Sequence, residues 1–152
     1  MANKFFPVSI DLNNKNILVI GAGKISLRKI ETLLKYNCNI TVITKEVLEE
    51  KFFDLEKDDK IKILKYQEFE EKFLENIFLV IAATNNEVLN KNISQLCMSK
   101  NILVNNSTSK DDMNVRFASI YEKDDIQIAI SANGNPKKAV EIKHKIKDIF
   151  EK

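Results

Sequence analysis

The chain has 152 residues, 44% of them hydrophobic, and sets 24 lysines and arginines against 22 aspartates and glutamates. That length supplies one packed domain, or a domain with a small extension, and the composition is not that of a disordered segment. A formal charge of +2 argues against a strong global attraction to nucleic acid or to an anionic membrane, and leaves room for an anionic small molecule.

Phe5-Phe6-Pro7-Val8 and Ser9-Ile10 suggest a short edge strand or packing arm, because Pro7 cannot donate to a central ladder. Asn16 to Ile20 is the apolar run of a buried strand, Gly21-Ala22-Gly23 a tight turn, and Ile25, Ile30 and Leu34 carry the helical spacing that follows. Asn37-Cys38-Asn39 breaks that helix before a second strand at Ile40 to Ile43, with a short helix expected from about Val47 to Leu55. Ile61 to Leu64 suggests a third strand, and Phe69, Phe73 and Leu74 a short amphipathic helix. Ile77 to Ala83 is a continuous buried strand, Val88 to Cys97 recurs at helical intervals, and Ile102 to Val104 supplies a fifth strand.

This alternation predicts a Rossmann-like α/β fold, a parallel sheet with helices on both faces, over residues 1–114. After Val115 the pattern changes. Arg116 to Tyr121 and Ile126 to Ser131 read as a β-hairpin, and Asn133-Gly134-Asn135-Pro136 introduces a last helix with Ala139, Ile142, Ile146 and Ile149 in its apolar stripe. Residues 115–152 are too short for an independent domain, so burial against a second subunit is the expectation, with intrachain docking as the alternative.

Ligand chemistry in such a sheet gathers at the carboxyl ends of the strands: Gly21 to Ser26, Thr44, Ala83 to Asn86 and Asn105 to Thr108. Gly21 tolerates the turn, and the bare Gly23 leaves room for a pyrophosphate beside the helix N-terminus; a turn used only for packing is the competing reading. Thr44 and Lys45 stand where the adenosine ribose is held, and Lys45 would attract a 2′-phosphate, which makes NADP an alternative to NAD. Thr84 would frame the nicotinamide side. Asp111 and Asp112 are the candidate general bases, against an ordinary solvated pair.

His144, the single histidine, projects away from the apolar stripe, and one histidine specifies no metal shell. Cys38 and Cys97 are too few for a disulfide framework or a four-cysteine zinc site and read as buried and reduced. The start MANKFFPVSIDL lacks a signal-peptide pattern, and no later run is long enough to span a bilayer, so a cytoplasmic location is expected.

Phe6-Pro7, Gly21 to Lys29, Ile81-Ala82-Ala83-Thr84, and Ile128-Ala129-Ile130-Ser131 followed by Gly134 and Pro136 together resemble the precorrin-2 dehydrogenase family, including the amino-terminal part of siroheme synthases. The resemblance runs over almost the whole chain. It implies NAD-dependent oxidation of precorrin-2 to sirohydrochlorin by a homodimer, with cofactor roles for Gly21, Gly23, Lys24 and Ile25 and with Thr84 and Asn105 near the cleft. Where the family carries an Asp associated with dehydrogenation, this sequence has Thr108, so Asp111 or Asp112 would have to replace it. The family pattern also continues past the last helix into a region that encloses substrate; the expectation here is closure by a dimer mate or a heme-pathway partner. A noncatalytic tetrapyrrole- or nucleotide-binding subunit is the alternative implied, and a chelatase role ranks third.

Overall fold

The structure is a computed structural model that describes residues 3–152. Its centre is strand β1 (Asn16–Ala22), in which Ile17 to Ile20 and Ala22 are each at most 3% exposed. A strand buried on both faces needs neighbours on both sides. It has them in β2 (Asn39–Val47), β3 (Lys62–Lys65), β4 (Leu79–Ala82) and β5 (Leu103–Asn106), all parallel, in the order β3-β2-β1-β4-β5. The chain therefore builds outward from β1 in one direction, returns, and builds in the other. The reversal between β1 and β4 opens a crevice at the carboxyl edge, the switch point where ligands of such sheets bind.

Helices α1 (Lys24–Leu33), α2 (Lys51–Lys57) and α3 (Glu87–Ser99), with a 3₁₀ turn at Glu71–Leu74, make the crossovers. Leu18, Ile20, Ile43, Val80, Ala82 and Val104 form one core layer with Leu74, Ile93 and Cys97. The alternate residues Ile17, Val19, Val42 and Ile81 are buried on the opposite face, where right-handed crossovers carry Ile30 and Leu33 of α1 and Phe52 of α2. Each such side chain contributes about 1.5–3 kcal/mol on leaving water.

Several segments depart from the sequence expectation. Residues 5–10 form no strand, and Phe6 and Val8 are exposed; Pro7 lacks the N–H that a ladder needs. The free edge of β5 is instead occupied by Asn114. Its Oδ1 accepts from Val104 N–H at 2.7 Å, its Nδ2 donates to Ile102 O at 3.0 Å, and its own N–H donates to Val104 O at 3.2 Å.

The second strand runs on to Val47, and the helix begins only at Lys51 rather than at Val47. The cause is a register shift. Ile20 pairs with Ile43 but Ala22 pairs with Val47, so Gly21 alone faces the three-residue bulge Thr44 to Glu46, and Leu48 N–H closes it on Ala22 O at 3.0 Å. The amphipathic helix expected at Phe69 to Leu74 is the single 3₁₀ turn.

Residues to Val115 make one compact unit, and Arg116 to Lys152 a second. In the second, β6 (Ser119–Lys123) and β7 (Ile126–Ile130) pair antiparallel and α4 (Pro136–Phe150) follows, its N-terminus capped by Asn135 Oδ1 on Lys138 N–H at 3.1 Å. The first hairpin strand begins at Ser119 rather than at Arg116. Tyr121 packs its ring 5.9 Å from that of Phe150, and Lys123 Nζ donates to Phe150 O at 2.6 Å. Of the expected stripe Ala139 is buried, Ile142 and Ile146 are half-buried and Ile149 is 68% exposed, because two strands within this unit are too narrow to cover a fifteen-residue helix.

Corners throughout the chain are closed with little glycine. Asn14, Asp59, Tyr66, Asn76, Asn101, Asp124 and Asn133 all take left-handed φ values between 47° and 58°. No helix among the described residues is long and apolar enough to cross a membrane.

Candidate functional site: a cleft at the carboxyl edge of the sheet

The carboxyl ends of β1 to β5 and the loops that leave them surround a cleft of about 990 Å³. Its floor is the β1–α1 turn, where the two glycines serve different ends. Gly21 has φ +106°, and a Cβ there would lie 2.3 Å from Ala83 O, so this glycine lets the turn pack directly on the exit of β4. Gly23 has an ordinary φ of −107°, and a Cβ on it would meet Leu48 Cδ1 at 3.8 Å and nothing closer. Its bare backbone keeps the cleft open.

Ser26, fully buried, accepts from Gly23 N–H at 3.1 Å and donates to Gly23 O at 2.9 Å. It thereby locks the turn and occupies the place where a third small residue allows the helix to approach the strand. Helix geometry leaves the first-turn N–H groups of Lys24 and Ile25 without intrahelical acceptors, and no acidic side chain stands in that turn. Lys24 and Ile25 both line the cleft. The positive end of α1 is therefore available to an anion, and the space beside Gly23 fits the pyrophosphate of a dinucleotide.

One rim is the β2 bulge. Thr44 is 6% exposed and its Oγ1 is spent on Glu46, donating to its O at 2.5 Å and accepting from its N–H at 3.2 Å. Lys45 pairs with Glu68, Nζ to Oε1 at 2.7 Å, and the hydrogen bond and charge of Lys45 hold the Glu68 carboxyl below its ordinary range. Glu68 arrives from the loop after β3, which is tied to β2 by Gln67 N–H on Thr44 O at 3.2 Å. The charged side chains of the wall are two lysines, Lys24 and Lys45, against three glutamates, Glu46, Glu49 and Glu68.

The opposite wall is neutral and is braced by Asn90 of α3, which is fully buried. Its Oδ1 accepts from Thr84 N–H at 3.1 Å and from Thr84 Oγ1 at 2.6 Å, and its Nδ2 donates to Thr84 O at 3.0 Å and to Thr108 Oγ1 at 3.2 Å. Thr108 Oγ1 in turn donates to Asn106 Oδ1 at 2.9 Å. A hydroxyl that already donates to one amide and accepts from another is a positioned polar group and not a proton acceptor of carboxylate strength.

Of the residues expected from the sequence, the cleft gathers Gly21, Gly23, Lys24, Ile25, Thr44, Thr84 and Thr108. Asn105 is elsewhere: it is 4% exposed and donates to Val115 O at 3.1 Å, bracing the return of the chain instead of lining the cleft. Asp111 and Asp112 are also outside the lining. Asp112 Oδ2 accepts from Ser109 Oγ at 3.1 Å, and Ser109 Oγ accepts the N–H groups of both aspartates, a local turn that holds them in place. His144 is exposed on α4. Among the described residues no group of three or more His, Cys, Asp or Glu side chains is placed to hold a metal.

The sequence reading missed Gln67, Glu68 and Phe69, although the rule that ligands collect where parallel strands end points to the loop after β3 as much as to the others. It also missed Asn90, for which a buried amide inside a helical pattern was the available signal.

A sheet of this order with a glycine turn feeding an open helix N-terminus defines a dinucleotide-binding domain. A family model of NAD(P)-binding proteins matches residues 8–119. The chain is 38% identical over 130 residues to a siroheme synthase of Mannheimia succiniciproducens and 39% identical over 130 residues to one of Buchnera aphidicola, covering 86% of this chain and 27% of each relative. It thus spans about a quarter of the length of these curated relatives. The solved precorrin-2 dehydrogenase SirC superposes with a TM-score of 0.81 at 26% identity, over 95% of this chain and 70% of that one. The chain belongs to the precorrin-2 dehydrogenase and siroheme synthase family, as its NAD(P)-binding amino-terminal domain.

Proposed function

We propose that this protein binds NAD in the cleft and oxidises precorrin-2 to sirohydrochlorin on the route to siroheme, working as a homodimer through residues 116–152. The observation that carries the reading is the Gly23 gap beside the open N–H groups of Lys24 and Ile25 at the start of α1, in a chain whose relatives include a precorrin-2 dehydrogenase. When bound, the nicotinamide supplies the hydride acceptor. The chain's own contribution is orientation: Gly23, Lys24 and Ile25 would hold the phosphates, and Thr84 and Thr108, fixed by Asn90, would present neutral hydroxyls at the other wall. Incubation of the purified protein with precorrin-2 and NAD tests this. The expected result is sirohydrochlorin and NADH in equal amounts; folded protein that takes up NAD yet forms neither rejects the reaction.

A second reading, a noncatalytic nucleotide- or tetrapyrrole-binding subunit of a heme-pathway complex, is favoured by one observation, the absence of a carboxylate beside Thr108 on the described cleft wall. Under it both ligands bind without turnover. Three variants separate the readings. Asp111→Asn and Asp112→Asn are expected to leave turnover within twofold if neither aspartate reaches the substrate, whereas Thr108→Asp is expected to raise it by roughly ten- to a hundredfold if a positioned base is what the wall lacks.

A further inference from the structure

In sheets of this order the ribose carrying the adenine sits at the end of β2, where an acidic side chain favours the free 2′-hydroxyl and a basic one a 2′-phosphate. This chain places a lysine there. Lys45 alone would argue for NADP, but it does not stand alone: the bulge that projects it also brings it within 2.7 Å of Glu68, and the Gln67 N–H bond to Thr44 O fixes the loop that carries Glu68. Thr44 is a poor substitute as the ribose acceptor, since its hydroxyl is already tied to the Glu46 backbone. Glu46 and Glu49 add negative charge to the same rim.

We infer that Glu68, by engaging Lys45 across the β2 rim, is the residue that selects NAD over NADP. The inference rests on the nucleotide reading proposed above. A 2′-phosphate brought to this rim has to compete with the Glu68 carboxylate for Lys45 and then lie beside the carboxylate it displaces. A free 2′-hydroxyl does neither, and Glu68 is itself a suitable acceptor for it. Because both side chains are more than 70% exposed, water and salt screen the pair and the preference is graded rather than absolute.

Isothermal titration of the full chain with NAD and with NADP, at fixed ionic strength, tests this on wild type, Glu68→Gln, and Glu68→Gln combined with Lys45→Gln. Wild type is expected to bind NAD more tightly. Glu68→Gln should shift the NADP-to-NAD affinity ratio toward NADP by roughly tenfold, and the double variant should lose that gain. An unchanged ratio in a Glu68→Gln protein that still binds NAD overturns the assignment of Glu68 alone, as does a gain that persists without Lys45. Failure of the folded wild type to bind either nucleotide overturns the assignment together with the nucleotide reading beneath it.

Discussion

Gly21 and Gly23 show how two identical residues two positions apart can answer to different constraints. Gly21→Ala would force a methyl against Ala83 O and hold an alanine at φ +106°, so it is expected to cost at least ~1–2 kcal/mol in a urea melt and to distort the cleft with the fold. Gly23→Ala meets only Leu48 at 3.8 Å, so its stability should stay within about 0.5 kcal/mol of wild type while NAD affinity falls tenfold or more by titration. Cys97 makes a separate prediction. Burial pushes its thiol from 9.0 up to about 11, so the folded state keeps the proton that the unfolded state releases. Stability is full below pH 9 and is lost as pH rises from 9 toward 11. Denaturation of wild type and Cys97→Ala across that range should show wild type losing up to about 2 kcal/mol more than the variant.

At the scale of elements, the cleft depends on polar brackets more than on the strands themselves. Asn90→Leu keeps the branched shape in a larger side chain and strips Thr84 and Thr108 of a shared partner; it is expected to destabilise by about 1–3 kcal/mol and to loosen both loops, seen as faster amide exchange at residues 84–86 and 107–109. The strands were legible because Ile17 to Ile20 and Leu79 to Ala82 are unbroken apolar runs, and the glycine turn because only a few residue types close a strand on a helix so tightly. The bulge at Thr44 to Glu46 was not: nothing in its local composition records that Ala22 skips ahead to Val47. Nor were the bridges from Asn90 to Thr108 or from Lys45 to Glu68, which join residues 18 and 23 positions apart through side chains that suit solvent equally well.

Across the whole molecule, occupancy of one cleft should be felt by all five strands of the sheet, since their ends form its walls. NAD at a hundredfold excess over Kd is expected to add about 2.7 kcal/mol to the stability of the unit it binds, and differential scanning calorimetry with and without the nucleotide measures it. The corners have a slower consequence. Among the described residues, four of the seven non-glycine residues in left-handed turns are asparagines, and Asn133 is followed by Gly134, the neighbour that least obstructs attack of the backbone on the side-chain amide. Each amide lost to water on storage leaves a carboxylate, so conversion of Asn14, Asn76, Asn101 and Asn133 would take the formal charge from +2 to −2 (four units subtracted). An old preparation would announce its age as an acidic ladder on an isoelectric focusing gel.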